Sequence, residues 1–145
     1  MNKKGFTLVE LVVVMVIVGI LSVVSVPIYR SYVQRALFTE ADTLMSSIRV
    51  GQAAYYATNG KFVAVGNTSN SKSLRVDAHT NKYFTSFQIS TSESNVPGQY
   101  LWEATSIGRT GSNDMAKGLT AKGRGSNYGE LNVTLYINGE QLEVH

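Results

Sequence analysis

The sequence predicts an α+β fold, in which one long N-terminal α-helix, hydrophobic first and amphipathic later, packs on a small antiparallel β-sheet. Three observations predict it: an apolar run from Phe6 to Ile28, an apolar stripe at helical spacing from Val33 to Tyr55, and alternating apolar residues in the C-terminal half. A chain of 145 residues has room for one compact domain in addition to the helix.

The apolar run has the length of a membrane-spanning helix. No polar side chain occurs between Leu11 and Leu21. At 1.5 Å per residue the run from Phe6 to Ile28 is about 35 Å long, which is enough to cross the roughly 30 Å hydrocarbon core of a bilayer. Lys3 and Lys4 precede it, so the positive-inside rule predicts a cytoplasmic N-terminus and export of the C-terminal part.

Two residues within the run are not required by a simple membrane anchor. Glu10 places an ionisable carboxyl group among apolar residues, where a charge costs roughly 2.5–3.5 kcal/mol near a helix centre. Pro27 removes a backbone donor and clashes with the carbonyl group four residues before it. Both residues therefore indicate a function beyond anchoring.

The segment from Lys3 to Glu10, Lys-Lys-Gly-Phe-Thr-Leu-Val-Glu, resembles the processing site of type IV pilins and of the pseudopilins of type II secretion. The resemblance implies cleavage after Gly5 and methylation of the new Phe6 amine by a prepilin peptidase/methyltransferase. It also implies assembly through Phe6 and Glu10 into a homo-oligomeric filament with the apolar helices in its core. Gly19 and Pro27 lie where the family carries helix-weakening residues.

Two simpler interpretations explain less of this segment. A conventional signal peptide also has a basic start and an apolar core, but its core is usually 7–15 residues long and needs no Glu10. A single-span membrane protein explains the length of the run and leaves Glu10 without a role. The pilin-like interpretation accounts for both features.

The resemblance and the hydropathy pattern together divide the chain into four parts. We expect a leader at 1–5, a transmembrane and filament-core helix at 6–29, the amphipathic half of that helix at 30–57, and a globular head at 58–145. The helix is expected to stop at Asn59-Gly60. The apolar stripe comprises Val33, Leu37, Ala41, Leu44, Ile48, Gly51 and Tyr55, and a secondary band of Phe38, Met45 and Tyr56 predicts either a subunit contact or wider burial.

The head is predicted to contain three to four antiparallel strands. Residues 61–81 and 108–129 are expected to be loops, the second because it is rich in glycine. Alternation predicts strands at 83–90, 100–107 and 131–137, with Trp102 and Ala104 facing the helix and Leu135 packed near Leu44 or Ile48. Asn138-Gly139 predicts a hairpin that continues the last strand.

The composition does not indicate an enzyme. The chain has no cysteine, which excludes disulfides and thiolate metal sites, and its two histidines, His79 and His145, are isolated. Asp114, with Asn113 and Ser112, supplies one carboxylate, a poor cage for calcium. We therefore expect no catalytic site, metal or cofactor.

Charge leaves one alternative function open. The net charge is +3, and cleavage after Gly5 lowers it to +1 by removing Lys3 and Lys4. Lys117, Lys122 and Arg124 form a basic cluster, which predicts either a solvated loop or a weak contact with DNA or an anionic surface. The alternative to a main filament subunit is thus a minor pilin that binds DNA or a surface at a filament tip.

The location follows from the same interpretation. The precursor is expected in the bacterial inner membrane, where inner-membrane assembly machinery would take it up. The product is then an extracellular pilus or, alternatively, a periplasmic pseudopilus.

Overall fold

The structure is a computed structural model that describes residues 5–93, 100–108, 118–127, 131–137 and 140–141. The chain divides into two compact units, the first ending at Arg35 and the second beginning at Ala36. Within the described residues there is one long helix together with a small antiparallel sheet, so the predicted α+β class is confirmed.

Helix α1 spans Leu8–Asn59. It ends at Gly60, which has a φ of 68° and donates its N–H to the carbonyl oxygen of Tyr56 at 2.8 Å. A glycine in this left-handed conformation is a common helix terminator. The predicted stop at Asn59-Gly60 is therefore confirmed.

Within the first unit, α1 continues through Gly19 and Pro27 without a break. Two serines in this stretch bond back to the helix: the Ser22 hydroxyl donates to the Val18 carbonyl oxygen at 2.7 Å, and the Ser25 hydroxyl donates to the Ser22 carbonyl oxygen at 3.2 Å. These bonds satisfy the hydroxyl groups within the helix, so that both serines are compatible with an apolar environment.

Within the second unit, one face of α1 is buried in the core. The buried helix residues are Leu37, Ala41, Leu44, Met45, Ile48, Gly51 and Gln52. The centre of the predicted stripe is therefore confirmed. For Met45, wider burial is the correct alternative, because its side chain is fully buried beside Gly123.

The main sheet has the strand order β1-β4-β5-β6-β7-β8 in the described residues, and every neighbouring pair is antiparallel. Its strands are Val65–Thr68, Phe87–Glu93, Tyr100–Ile107, Leu119–Ser126, Leu131–Ile137 and Glu140–Gln141. Strands β2 (Asn70–Ser71) and β3 (Val76–Asp77) form a separate two-stranded sheet.

The inner face of the main sheet supplies the rest of the core. Alternate residues of the central strands are buried, as the two-residue period of a strand requires. They include Phe87, Ile89, Trp102, Ala104, Leu119 and Ala121. The predicted inward position of Trp102 and Ala104 agrees with their burial.

The prediction that 108–129 is an exposed loop is wrong, because β6 (Leu119–Ser126) lies within this range and is an interior strand of the sheet. Gly123 and Gly125 lie on the buried side of β6. A Cβ at Gly123 would lie 2.8 Å from the Met45 sulfur, and one at Gly125 would lie 2.5 Å from the Trp102 ring. These glycines leave space for the large side chains of Met45 and Trp102. Residues 109–117 of the predicted loop lie outside the described part.

Two boundaries in the first half of the head also differ from expectation. Residues 61–81, predicted to be a loop, contain the short strands β1, β2 and β3. Strand β1 pairs with the distant strand β4, and β2 pairs with β3. The strand predicted at 83–90 begins only at Phe87. The backbone N–H groups of Tyr83 and Phe84 donate instead to the Glu40 carboxylate, which removes them from the sheet.

The C-terminal strands agree with the predicted pattern as far as they are described. Strand β7 matches the prediction for 131–137, and Ile137 pairs with Glu140 across the connection to β8. Asn138 and Gly139 themselves lie outside the described residues. Leu135 is opposite Ala121 in the register, and the packing of its side chain stays a prediction.

Candidate functional site

The first unit is dominated by apolar side chains that face outward. Every large apolar residue between Leu8 and Ile28 is at least 50% exposed. Among the described residues, α1 is the helix that is long and apolar enough to cross a membrane. An apolar surface of this extent needs a membrane or another protein surface to cover it.

The start of α1 is a capping box formed by Thr7 and Glu10. Glu10 Oε2 accepts hydrogen bonds from the Thr7 backbone N–H and from the Thr7 hydroxyl, each at 2.8 Å. The Thr7 hydroxyl oxygen in turn accepts the Glu10 backbone N–H at 3.3 Å. This reciprocal pattern satisfies donors that a helix start leaves unpaired, and the helix dipole favours a carboxylate there.

The capping box is a feature that our sequence reasoning missed. From the sequence, Glu10 is assigned a charge cost and a role in assembly but no capping role, although Thr-Leu-Val-Glu has the three-residue spacing of a capping box. The local bonds explain why the carboxylate is held at the helix start. Of the two carboxylate oxygens of Glu10, Oε2 accepts both hydrogen bonds from Thr7, and Oε1 takes part in none of the three capping bonds.

Gly5 and Phe6 lie just before the helix in irregular, exposed backbone. Phe6 is 87% exposed, and a Cβ at Gly5 would have no described atom within 4 Å apart from those of its chain neighbours. The described residues therefore do not cover this segment. Glu10 lies four residues after Phe6, the residue whose nitrogen cleavage after Gly5 would expose.

The basic cluster in the head is only partly assembled by the structure. Lys122 and Arg124 lie on the exposed face of β6. Arg124 forms an ion pair with Glu103 at 2.5 Å, and its side chain is 76% exposed. Lys117 lies outside the described residues. The Glu103 carboxylate lowers the net positive charge that this surface presents to an anion.

Potential metal ligands are also not brought together in the part of the chain that is described. No group of three or more histidine, cysteine or acidic residues there could hold a metal ion. His79 is exposed, with its backbone N–H donated to Asp77 Oδ1 at 2.8 Å. Ser112, Asn113, Asp114 and His145 lie outside the described residues.

Two polar helix residues that the sequence did not single out attach the head to α1. Glu40 Oε1 accepts the backbone N–H groups of Tyr83 and Phe84, each at 2.7 Å, and Oε2 accepts that of Lys82 at 3.2 Å. Gln52 forms a reciprocal pair with the backbone of Val63 at 2.7 and 3.0 Å. Such partners are distant in sequence, so helical periodicity does not reveal them.

Comparison with known proteins supports the interpretation of the N-terminus. Residues 1–26 match the prokaryotic N-terminal methylation motif. The chain is 43% identical over 60 residues to the type IV major pilin protein PilE1 of Neisseria gonorrhoeae, covering 41% of this chain and 36% of that protein. It is 37% identical over 90 residues to a fimbrial protein of Neisseria meningitidis serogroup A, covering 60% and 50%.

A further relative matches with a similar identity and coverage. The chain is 37% identical over 81 residues to a fimbrial protein of Moraxella nonliquefaciens, covering 56% of this chain and 51% of that protein. These matches span about a third to a half of the length of each relative. No solved structure matches the chain significantly. The chain therefore carries the N-terminal methylation motif and is similar to type IV major pilins and fimbrial proteins over part of its length.

Proposed function

We propose that this chain is a structural subunit of a type IV pilus or a related pseudopilus. It is inserted in the inner membrane by its N-terminal helix, cleaved after Gly5, methylated on Phe6 and polymerised into a helical filament. The observation that carries the proposal is the first unit, whose apolar side chains are exposed around the whole helix. The bilayer covers them before assembly, and the helices of other copies cover them afterwards.

Assembly depends on the charge of Glu10 in this mechanism. Cleavage exposes an amine on Phe6, and Glu10 of one copy pairs with the Phe6 amine of a neighbour. Opposite charges about 4 Å apart at an effective dielectric constant of about 20 attract by roughly 4 kcal/mol, before desolvation is subtracted. The capping bonds from Thr7 hold the Glu10 carboxylate at the end of the helix where the neighbouring amine must arrive.

Gly19 and Pro27 allow the helix to adapt after it leaves the membrane. In lipid a backbone group has no other hydrogen-bond partner, so the helix stays continuous in the isolated subunit. Proline costs about 3 kcal/mol in a helix interior and glycine about 1 kcal/mol, so this stretch is the weakest part of the first unit. In the filament we expect local unwinding between these two residues.

A minor pilin that binds DNA or a surface at the filament tip is the alternative. It would use Lys122 and Arg124, together with Lys117, but the Arg124–Glu103 ion pair weakens the positive surface. Binding of duplex DNA by the purified full-length chain at low salt would support this alternative, and its absence would count against it.

Processing is tested by the intact mass of subunits taken from filaments. We expect loss of residues 1–5 and the addition of one methyl group on Phe6. Gly5→Val should leave the full-length precursor in the membrane, because a bulky side chain blocks the processing enzyme. Gly66→Val is the matched control and should be processed normally, because a Cβ at Gly66 also meets no described atom within 4 Å beyond its chain neighbours. Filaments built from uncut precursor would contradict the proposal.

A further inference from the structure

Four side chains directly after the apolar run form a basic and aromatic collar. The collar consists of Tyr29, Arg30, Tyr32 and Arg35, all within the first unit. Tyr29 is 59% and Tyr32 68% exposed, and both arginines are exposed. The proposed cleavage after Gly5 and the proposed pairing of Glu10 with Phe6 do not involve these four residues.

The charge of the collar is of one sign. No aspartate or glutamate occurs between Glu10 and Glu40, so the two arginines are the charged residues of this whole stretch. Their positions lie within seven residues of Ile28, where the exposed apolar run ends. The collar is thus a cationic surface continuous with the segment that the membrane covers.

We infer that the collar binds the phosphate groups of anionic phospholipids on the exported side of the membrane. This binding sets the depth of the subunit before assembly, and the inference rests on the membrane stage of the proposed function. A guanidinium group forms bidentate hydrogen bonds with a phosphate, and tyrosine rings favour the boundary between acyl chains and headgroups. Long arginine side chains reach headgroups while their stems stay in apolar surroundings.

The spacing along the helix fits one headgroup layer. Arg30 and Arg35 are five residues apart, which is about 7.5 Å along a helix. Each polar layer of a bilayer is roughly 5–8 Å thick, the difference between the full bilayer and its hydrocarbon core. At 100° per residue the two arginines are about 140° apart around the helix, so they can bind different lipids on different sides.

The complete absence of cysteine makes depth directly measurable. Single cysteines replace Ile28, Ser31 or Gln34, one at a time, in the full-length chain. Each protein is inserted into vesicles of phosphatidylcholine alone or of phosphatidylcholine with phosphatidylglycerol, and the rate of maleimide labelling is measured. We expect a boundary between protected and labelled positions that is sharper and nearer Ile28 in the anionic vesicles.

Charge variants identify the side chains responsible. Arg30→Gln combined with Arg35→Gln should let the helix sink by about one turn, about 5 Å, because glutamine is less costly to bury. Labelling at position 34 should then slow several-fold, and the two vesicle types should give the same pattern. The double substitution to lysine keeps the charge and should keep the difference, as should Arg49→Gln, an exposed arginine outside the collar.

Several results would overturn the inference. One is a labelling pattern of the single-cysteine proteins that is identical in neutral and anionic vesicles, a result that requires no arginine variant. Another is an unchanged pattern in the double glutamine variant, or the same shift from Arg49→Gln. Inorganic phosphate that reproduces the anionic pattern in neutral vesicles would assign the site to free phosphate. Failure of the native chain to insert in either vesicle would instead contradict the membrane stage of the proposed function.

Discussion

Ile17 and Ile48 lie on the same helix, but Ile17 is 51% exposed whereas Ile48 is fully buried. The difference comes from what the rest of the chain supplies to each. Around Ile48, the inner face of the main sheet and residues 61–84 complete a core. Around Ile17, the described residues supply no cover, so the apolar side chains require a membrane or other copies of the chain.

The largest expected difference between the two units comes from truncating these isoleucines. Ile48→Ala removes buried methylene groups and should lower the free energy of unfolding of the head by about 2–5 kcal/mol. Ile17→Ala should change it by less than about 0.5 kcal/mol, because its side chain is outside the core. Trp102, the single tryptophan, is buried in the head, so its fluorescence during urea unfolding of the detergent-solubilised full-length chain reports this transition. Equal losses from both variants would show that the units share one core.

Two glycines sharpen the comparison with a smaller effect. Gly125→Ala would place a Cβ 2.5 Å from the rigid Trp102 ring and should cost about 1–3 kcal/mol of head stability through overpacking. A Cβ at Gly19 would meet no described atom within 4 Å outside the adjacent helix backbone and its chain neighbours, so Gly19→Ala should leave the Trp102 transition unchanged. Circular dichroism should show the helix of the Gly19 variant retained, since alanine favours a helix. A stable Gly125→Ala head would mean that the ring can move away.

The two glutamates that accept backbone hydrogen bonds should differ as well. Glu40→Ala removes the acceptor for three backbone N–H groups of the second unit and should lower head stability by about 1–1.5 kcal/mol, since water replaces part of the loss. Glu10→Ala removes bonds of the first unit only. We expect its Trp102 transition to match that of the native chain. A loss of head stability in the Glu10 variant would show that Glu10 also stabilises the second unit.

Patterns that depend on near neighbours predicted much of this fold. The buried helix stripe, the stop at Gly60 and strands β5 and β7 follow from local spacing and turn chemistry. Strand β6 could not be predicted in this way, because a glycine-rich sequence is typical of a loop. Its glycines are explained only by tertiary packing, since Met45 and Trp102 occupy the space beside them. The start of β4 depends in the same way on Glu40, more than forty residues earlier.

The candidate site shows the same division. A short motif predicted Gly5, Phe6 and Glu10, and the methylation-motif match covers these positions. The bonds between Thr7 and Glu10 are also local, because the three-residue spacing of these two residues is that of a capping box. The ion pair of Arg124 with Glu103 could not be predicted from local sequence, because the pairing of β5 with β6 brings the two residues together.

The most direct test separates the charge of Glu10 from its capping role. Glu10→Gln keeps a side chain that can cap the helix through Thr7, and Glu10→Ala removes both capping and charge. Each variant is expressed as the only subunit, and filament yield is measured after confirming that the precursor is inserted, cut and stable. If charge pairing with a neighbour's Phe6 amine drives assembly, both variants should be poorly incorporated into filaments. A normal filament yield from Glu10→Gln would contradict that mechanism and leave Glu10 as a helix cap.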